Sequence, residues 1–349
     1  MARKINTVLG EISTKDMGRT LHHEHLCSQV WGWQQDRKLA MHNKELYDKS
    51  IDLVVAEWVK LREVYGVRTI VDAAPAAGKA PIDMFCRVAE RSGINLIIST
   101  GLFDEEMGGL PLHWRFQTLE RITEWMIAEL TEGIEGTGVK AGAIKTACSL
   151  GMSKISELDE KGMRAAARAH KATGAPLITH TPPAPEMGNA QLDLLQEEGV
   201  DLRNVDIGHR DGPRELDCLM KIAQRGAFLG FDRLGTTLWE DPANIPWKLS
   251  PFGIAAGGGE ISTANLLALL KAGYEKQILL SQDVTGIWLG GPTADDGTPY
   301  YGLPKRSFLT FFERRIPKLI EAGISQKTID RILLDNPRRF FEGASNWGK

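Results

Sequence analysis

The segment GRTLHHEHLC, residues 18–27, places three histidines and a glutamate at the end of a strand-like pattern, in a chain with only eight histidines. Successive side chains of a strand point to opposite faces, so His23 and His25 share one face and His22 and Glu24 share the other. Two imidazoles on one face suit a metal ion, although hydrogen bonds to loop neighbours are a simpler alternative. An open doubly wound sheet would usually carry a glycine-rich phosphate loop at this position.

Seven further apolar runs follow this first one, and each precedes a stretch with helical periodicity. Their nearly continuous content of Ile, Leu, Val, Ala and Gly is typical of parallel strands covered on both faces. The predicted strands are 19–26, 67–74, 95–103, 141–147, 175–181, 205–211, 227–233 and 277–283. The predicted helices, most of which end at glycine, are 44–66, 80–93, 120–133, 160–174, 189–199, 212–226, 263–275 and 307–323.

Eight strand–helix units in 349 residues predict an α/β fold, a single (β/α)₈ TIM barrel formed by one domain, residues 1–349. A doubly wound open sheet is the alternative. Two long loops, 239–260 and 284–304, follow the seventh and eighth predicted strands. Because the loops after the strands carry the active site of such barrels, these two are expected to form its roof.

Composition restricts the function classes. The chain is 42% apolar and 25% charged with a net charge of −3, which is typical of a soluble globular protein and does not favour nucleic acid or an anionic membrane as partner. No transmembrane run and no secretory signal are recognisable. The cysteines are widely spaced and favour reduced thiols in a cytoplasmic protein over disulfides or a zinc finger; they are Cys27, Cys86, Cys148 and Cys218.

Six side chains that suit a metal site lie at the carboxyl ends of predicted strands. They are His23 and His25 on the first strand, Lys145 on the fourth, His180 on the fifth, His209 on the sixth and Asp283 on the eighth. Each alone has an ordinary alternative, such as a hydrogen-bonded histidine, a helix cap or a lysine paired with an acid. A barrel brings these strand ends to one mouth, and the joint arrangement predicts a metal site.

Lys145 is the unusual member of this set, because an ammonium is a poor metal ligand and is costly to bury. Burial lowers the pKa of a lysine and leaves a nucleophilic amine. That amine can capture CO₂ as a carbamate, whose two oxygens can bridge two metals. The prediction is a site for two divalent ions, with zinc preferred and cobalt, manganese or iron as alternatives, and with CO₂ bound on Lys145.

The ordered motifs TLHHEHL, AGAIKTA, LITHT, DIGHRDG, GFDRLG and LLSQD resemble the phosphotriesterase family of the amidohydrolase superfamily over nearly the full chain, and especially its phosphotriesterase-like lactonases. The resemblance implies that the more buried metal is bound by His23, His25 and Asp283, and the more exposed metal by His180 and His209. It also implies that a carboxylated Lys145 bridges both, that His22 and Glu24 face the barrel wall or the helices, and that the protein is a homodimer.

Two positions bear on the substrate. Phe103 stands where the phosphotriesterases of this family carry Trp and the lactonases usually carry Tyr, and Arg233 stands where lactonases carry Arg and phosphotriesterases carry His. The alternatives are a core phenylalanine and a salt bridge at the rim. Trp239 and Trp288 lie in the long loops and could line an apolar substrate pocket, with surface packing as an equal alternative.

The function predicted from these residues is hydrolysis of a small molecule by a metal-bridging hydroxide, with Asp283 taking its proton. Arg233, the adjacent Asp232, or both would orient the substrate. A lactonase with promiscuous phosphotriesterase activity is the leading interpretation, and another carboxylic ester or amide hydrolase or a true phosphotriesterase is the alternative. A non-catalytic binding barrel is disfavoured, because all six expected ligands are present.

Overall fold

The computed structural model describes residues 2–29, 44–75, 81–104, 111–149, 154–211, 216–234, 258–289 and 307–343. The strands are β1 (Lys4–Thr7), β2 (Gly10–Ser13), β3 (Arg19–Gln29), β4 (Val67–Asp72), β5 (Asn95–Gly101), β6 (Ala143–Ala147), β7 (Leu177–His180), β8 (Val205–Ile207), β9 (Phe228–Phe231), β10 (Ile278–Leu280) and β11 (Thr285–Leu289). The α-helices are α1 (Lys44–Tyr65), α2 (Ile82–Ser92), α3 (Leu112–Arg115), α4 (Leu119–Thr131), α5 (Glu157–Thr173), α6 (Met187–Glu197), α7 (Leu216–Gln224), α8 (Gly258–Lys271), α9 (Ile316–Glu321) and α10 (Gln326–Glu342). A π-helical turn, Phe311–Arg315, precedes α9, and short 3₁₀ turns lie at Thr14–Asp16, Ile134–Gly136, Leu202–Asn204 and Glu275–Gln277.

One parallel sheet of nine strands has the order β10-β9-β8-β7-β6-β5-β4-β3-β11. Its two ends, β10 and β11, are consecutive in the chain, and the segment between them also bonds to β3. Asp283 donates its backbone N–H to the His23 carbonyl at 3.1 Å, and His25 donates to the Val284 carbonyl at 2.9 Å. The sheet therefore curls back on itself, and the predicted α/β barrel is confirmed, with β3 to β10 as its eight predicted strands.

The apolar runs serve two cores because alternate residues of a strand face opposite sides. On β5, Leu96 and Ile98 belong to the larger core between the strands and the helices. Ile97 instead belongs to a smaller core with Phe228, and Phe340 of α10 belongs to the same core. The end of the barrel that α10 covers is thus filled with apolar side chains, whereas the polar strand ends gather at the opposite end.

Several elements differ from those predicted. The antiparallel hairpin β1–β2, the short helix α3 and the long helix α10 were not predicted. The predicted loop 284–304 is wrong at its start, because Thr285–Leu289 forms β11 and pairs with β3. The rest of that loop, 290–304, and residues 239–257 of the other lie outside the described residues. The assignment of residues 1–349 to one domain stays a prediction.

Glycine ends the helices as predicted at two positions where the backbone turns left-handed. Gly66 follows α1 with a φ of 69°, and Gly93 caps α2 with a φ of 69° and donates its N–H to the Ala89 carbonyl. Among the helices that the structure describes, none has the length and apolar content needed to cross a membrane.

Candidate metal centre

The structure brings together all six side chains predicted to form a metal site. His23 and His25 lie on β3, Lys145 lies on β6 and His180 ends β7, while His209 follows β8 and Asp283 follows β10. The side chains of His25 and Asp283 are each 17% exposed, and the other four are buried. The group therefore opens to solvent on the side of His25 and Asp283.

Four of these residues form one half of the cluster, with His23, His25, Lys145 and Asp283 as its members. His25 Nε2 lies 2.9 Å from Asp283 Oδ1, and His23 Nε2 lies 3.9 Å from the same oxygen. Lys145 Nζ lies 3.2 Å from His23 Nε2 and donates to the Thr179 carbonyl at 3.4 Å. Two imidazole nitrogens, one carboxylate oxygen and one amine thus converge on a single region.

His180 and His209 form the other half. His180 Nδ1 lies 2.8 Å from His209 Nε2, and the His180 ring meets the Phe103 ring edge-on with centroids 4.9 Å apart. His209 and Asp283 have φ values of 59° and 53°, a left-handed backbone that is uncommon for residues other than glycine. Such local strain concentrates at functional sites, where the surrounding structure holds it in place.

Burial dominates the electrostatics of the cluster. It lowers the pKa of His23, and it lowers the pKa of His209 to about 3. Burial holds the pKa of His180 well below its ordinary value. These imidazoles are therefore neutral at neutral pH and keep a lone pair, which is the form that binds a metal. Burial likewise lowers the pKa of Lys145 to about 8.

His25 and Asp283 behave as an ion pair. Burial lowers the pKa of His25, but its contacts with Asp283 and Asp72 outweigh burial and raise the pKa to about 9. Burial raises the pKa of Asp283, but the hydrogen bond from His25 and the charge of Arg233 outweigh it and hold the pKa well below its ordinary value. Asp283 is thus an anion at neutral pH, as a metal ligand or a proton acceptor must be.

Asp232 supports the histidines of the cluster from the barrel interior, whereas its sequence position suggested a role in orienting the substrate. This completely buried carboxylate lies 3.0 Å from His23 Nδ1 and 2.8 Å from His209 Nδ1, and it accepts the His209 backbone N–H at 3.0 Å. It therefore orients one histidine from each half and leaves their Nε2 atoms facing the cluster. The sequence signal that could have indicated this role is the position of Asp232 next to Arg233 at the end of a predicted strand, in GFDRLG.

Arg233 contacts the cluster through Asp283. Its Nε donates to Asp283 Oδ2 at 3.0 Å, while its backbone N–H donates to Asp211 Oδ2 at 2.7 Å. The two oxygens of Asp283 thus have separate partners, with His25 at Oδ1 and Arg233 at Oδ2. Burial and the charge of Asp232 raise the pKa of Asp211 to about 7.

The prediction that His22 faces the barrel wall or the helices is wrong. The pairing of β3 with β4 is irregular between Leu21 and Glu24, and a bulge of this kind re-aims side chains. His22 Nε2 lies 3.3 Å from Asp206 Oδ2 on β8, a strand that does not neighbour β3 in the sheet. The contact therefore crosses the barrel interior.

Glu24 holds the wall where the barrel closes. Its carboxylate accepts hydrogen bonds from the Ser281 hydroxyl at 2.6 Å, the Gln282 N–H at 3.1 Å and the Val284 N–H at 3.0 Å. These three donors flank Asp283 on both sides. Glu24 thereby fixes the segment that carries Asp283.

The substrate residues proposed from the sequence have different outcomes. Phe103 contacts His180, and Arg233 contacts Asp283, so both border the cluster. Trp239 lies outside the described residues, and Trp288 belongs to β11 but its side chain is outside the described part of the structure. Its role as a pocket residue, like that of Trp239, stays a prediction.

Comparison with known proteins gives matches along nearly the whole chain. The model of the phosphotriesterase family matches residues 3–341. An aryldialkylphosphatase of Saccharolobus solfataricus is 31% identical over 330 residues, which cover 95% of this chain and 96% of that protein. A phosphotriesterase homology protein of Escherichia coli is 30% identical, with 93% of this chain and 98% of that protein covered. An N-acetyltaurine hydrolase of Danio rerio is 25% identical, with 97% of each chain covered. Because the family model covers nearly the whole chain and relatives of 30% identity or more align along it, the chain belongs to the phosphotriesterase family.

Proposed function

We propose that this metal-dependent hydrolase uses a binuclear centre and acts preferentially on lactones. The observation that supports the centre is the convergence of His23, His25, Lys145, His180, His209 and Asp283 at one end of the barrel, with Asp232 behind two of the histidines. A nitrogen-rich set with carboxylate favours zinc-type ions over magnesium or calcium, so zinc is the proposed native ion. Lys145 would hold the two ions together as a carbamate.

The residues of the chain then have distinct tasks. When bound, two divalent ions would lower the pKa of the attacking water and polarise the oxygen of the scissile group. Asp283 accepts the proton of that water, since it is anionic and partly exposed at the opening of the cluster. Arg233 holds Asp283 in place through Oδ2, which leaves Oδ1 directed at the histidines.

Preference for lactones is proposed from Arg233. Its guanidinium is held at the cluster by Asp283, and its positive charge adds to burial in lowering the pKa of His209 and His180. A lactone is planar at the reacting carbon, and a fixed cation beside that carbon stabilises the charge that develops on the carbonyl or ring oxygen.

Phosphotriester hydrolysis is the second candidate, and Phe103 favours it. The Phe103 ring lies edge-on against His180 and offers an apolar wall to a bulky tetrahedral substrate. The relative from Saccharolobus solfataricus is named an aryldialkylphosphatase, which is in keeping with this side activity. Another carboxylic ester or amide hydrolase remains the alternative, since the Danio rerio relative is named for an amide substrate.

A substrate panel tests the proposal. The zinc-loaded enzyme is assayed for kcat/KM on lactones of varied chain length, aryl esters, N-acyl amines and a paraoxon-like triester, and lactones are expected to give the highest value. Arg233→Ala is expected to lower lactone kcat/KM by about 10- to 150-fold, which is typical of one charged hydrogen bond. The kcat/KM for the triester should fall less, because for this substrate the variant loses only the hydrogen bond that holds Asp283 in place.

The matched control is Arg121→Ala, which removes an exposed arginine paired with Glu124 and should leave kcat/KM unchanged for every substrate. A wild type that prefers triesters or amides, or an Arg233→Ala variant that loses all activities equally, would contradict the lactone assignment. The homodimer and the cytoplasmic location stay predictions; light scattering of the purified protein tests the first.

A further inference from the structure

A second cluster of metal-compatible side chains lies deeper in the barrel than the proposed binuclear centre. It comprises His22, His23, Asp206 and Asp232, whose ligand atoms all lie within 4.8 Å of one another. We call it the deep cluster. All four side chains are at most 1% exposed. The proposed binuclear centre uses only one of them, through His23 Nε2.

The polar atoms of His22 and Asp206 have no hydrogen-bond partner among the described residues. This holds for both ring nitrogens of His22 and both carboxylate oxygens of Asp206. Leaving such groups unpaired inside a protein is costly, and in a native structure it indicates a bound species that satisfies them. A cation or hydrogen-bond donors can satisfy such a carboxylate, and the spacing of the two groups distinguishes between them.

The spacing of the pair fits a shared metal ion better than a hydrogen bond. His22 Nε2 and Asp206 Oδ2 are 3.3 Å apart, yet they are not aligned as donor and acceptor. Two ligands bound at about 2.0–2.2 Å to a tetrahedral zinc ion lie about 3.3–3.6 Å from each other. The observed separation is therefore that of two neighbouring ligands on one ion.

Two glycines make room for the carboxylates. A Cβ at Gly230 would lie 2.7 Å from Asp232 Oδ2 and 3.0 Å from Asp206 Oδ1. A Cβ at Gly208 would lie 3.2 Å from Asp232 Oδ2 and 2.3 Å from the Thr179 carbonyl. Any side chain at position 230 would thus displace both carboxylates, and the backbone is shaped around them.

From these observations we infer a third metal site in the barrel interior, in which one divalent ion of the zinc type is bound by His22, Asp206 and Asp232. One neutral imidazole and two carboxylates give the ligand set a charge of −2, which a divalent cation balances. His23 is assigned to the binuclear centre through its Nε2, which lies 3.2 Å from Lys145 Nζ, so it is not counted as a ligand here. The remaining coordination position is open to a water molecule.

Counting zinc tests the site on the full chain. The wild type, loaded with Zn²⁺ and freed of excess ion, is expected to hold three zinc ions per chain by elemental analysis. The double variant His22→Leu/Asp206→Leu, which replaces the pair by apolar groups of similar size, is expected to lose one ion. Lys145→Ala is expected to lose the two ions of the binuclear centre and to keep the third.

The matched control is His170→Leu. His170 is also a buried histidine, but it lies on α5 and contacts the Ala175 carbonyl at 2.7 Å, so its removal should leave the zinc count unchanged. A double variant with the same zinc count as the wild type overturns the third site. A wild type with a single zinc ion that the double variant loses and Lys145→Ala retains supports the third site and contradicts the binuclear centre.

Crystals of the wild type decide the matter if the double variant does not fold. An anomalous difference map recorded at the zinc edge is expected to show a peak between His22 Nε2 and Asp206 Oδ2, separate from the peaks beside Lys145. A water molecule without anomalous signal at that position overturns the third site, whatever the occupancy of the binuclear centre.

Discussion

At the scale of single residues, Lys145 has the most distinctive chemistry. It is buried beside His23, and burial lowers its pKa to about 8. At neutral pH the unprotonated fraction is then roughly two orders of magnitude larger than for an ordinary lysine. That amine can react with CO₂, which is the chemistry a metal-bridging carbamate requires.

Lys145→Ala is therefore expected to lose the ions of the binuclear centre and most hydrolytic activity. Formate, acetate or propionate should restore part of the activity, because a free carboxylate can occupy the space of the carbamate. The measurements are zinc per chain and kcat/KM with and without each acid, and an exposed lysine, Lys4→Ala, is the control. A Lys145→Ala variant with full metal content and activity would rule out the carbamate.

Asp283 is expected to matter more for turnover than for substrate binding. Its carboxylate is anionic and is held by His25 and Arg233. Its backbone has a left-handed conformation. Asp283→Asn keeps the shape but removes the proton acceptor, a loss that typically costs ~10²–10⁴ in rate. We expect kcat to fall by at least this factor with a smaller change in KM, measured on a zinc-saturated variant whose metal content is known. Near-normal kcat would remove Asp283 from proton transfer.

At the scale of elements, strand periodicity predicted the direction of side chains where the strands are regular and failed where a strand is irregular. The alternation of side chains on β3 correctly placed His23 and His25 on one face. The expectation that the carboxyl ends of barrel strands meet at one mouth correctly placed Lys145 and His180 at the same end of the barrel. The bulge in β3 reversed the expected direction of His22. A single sequence shows no signal for a bulge formed by polar residues, so the contact of His22 with Asp206 could be recognised only in the structure.

Helix α10 illustrates a second limit, because its apolar residues are separated by charged ones and Pro337 lies within it. Its function is clear only from packing. The Phe340 ring meets the Phe228 ring edge-on at 5.4 Å and is 1% exposed, so it closes the apolar end of the barrel.

Phe340→Ala is expected to lower the free energy of unfolding by about 3–5 kcal/mol, the usual cost of a large buried aromatic. Leu334→Ala on the same helix is the control, since Leu334 is 48% exposed and should cost less than about 1 kcal/mol. Urea titration of both variants measures the difference. Similar values for the two variants would mean that α10 does not close the core as described.

At the scale of the whole molecule, apolar and charged groups occupy opposite ends of one barrel. Ile97, Phe228 and Phe340 fill one end, whereas the other contains Asp232, Asp283 and Lys145 with four histidines around them. The sequence alone could predict that the barrel has an apolar and a charged end, since apolar residues fill the middle of each strand and polar residues lie at its carboxyl end. It could not predict the pocket, because the specificity of such barrels depends on loops whose shape has no periodic signal.

The same division predicts how the molecule responds to metal removal. Without bound cations the anionic carboxylate of Asp232 is completely buried against the neutral imidazoles of His23 and His209, which opposes folding. An ion present at about 100 times its dissociation constant adds about 2.7 kcal/mol per site, so the two ions of the binuclear centre should raise Tm by about 7 °C in a protein of this size. Calorimetry before chelation, after chelation and after return of Zn²⁺ measures this shift, which should be smaller in Lys145→Ala. Equal Tm values for the metal-loaded and chelated wild type would contradict a metal centre in the barrel.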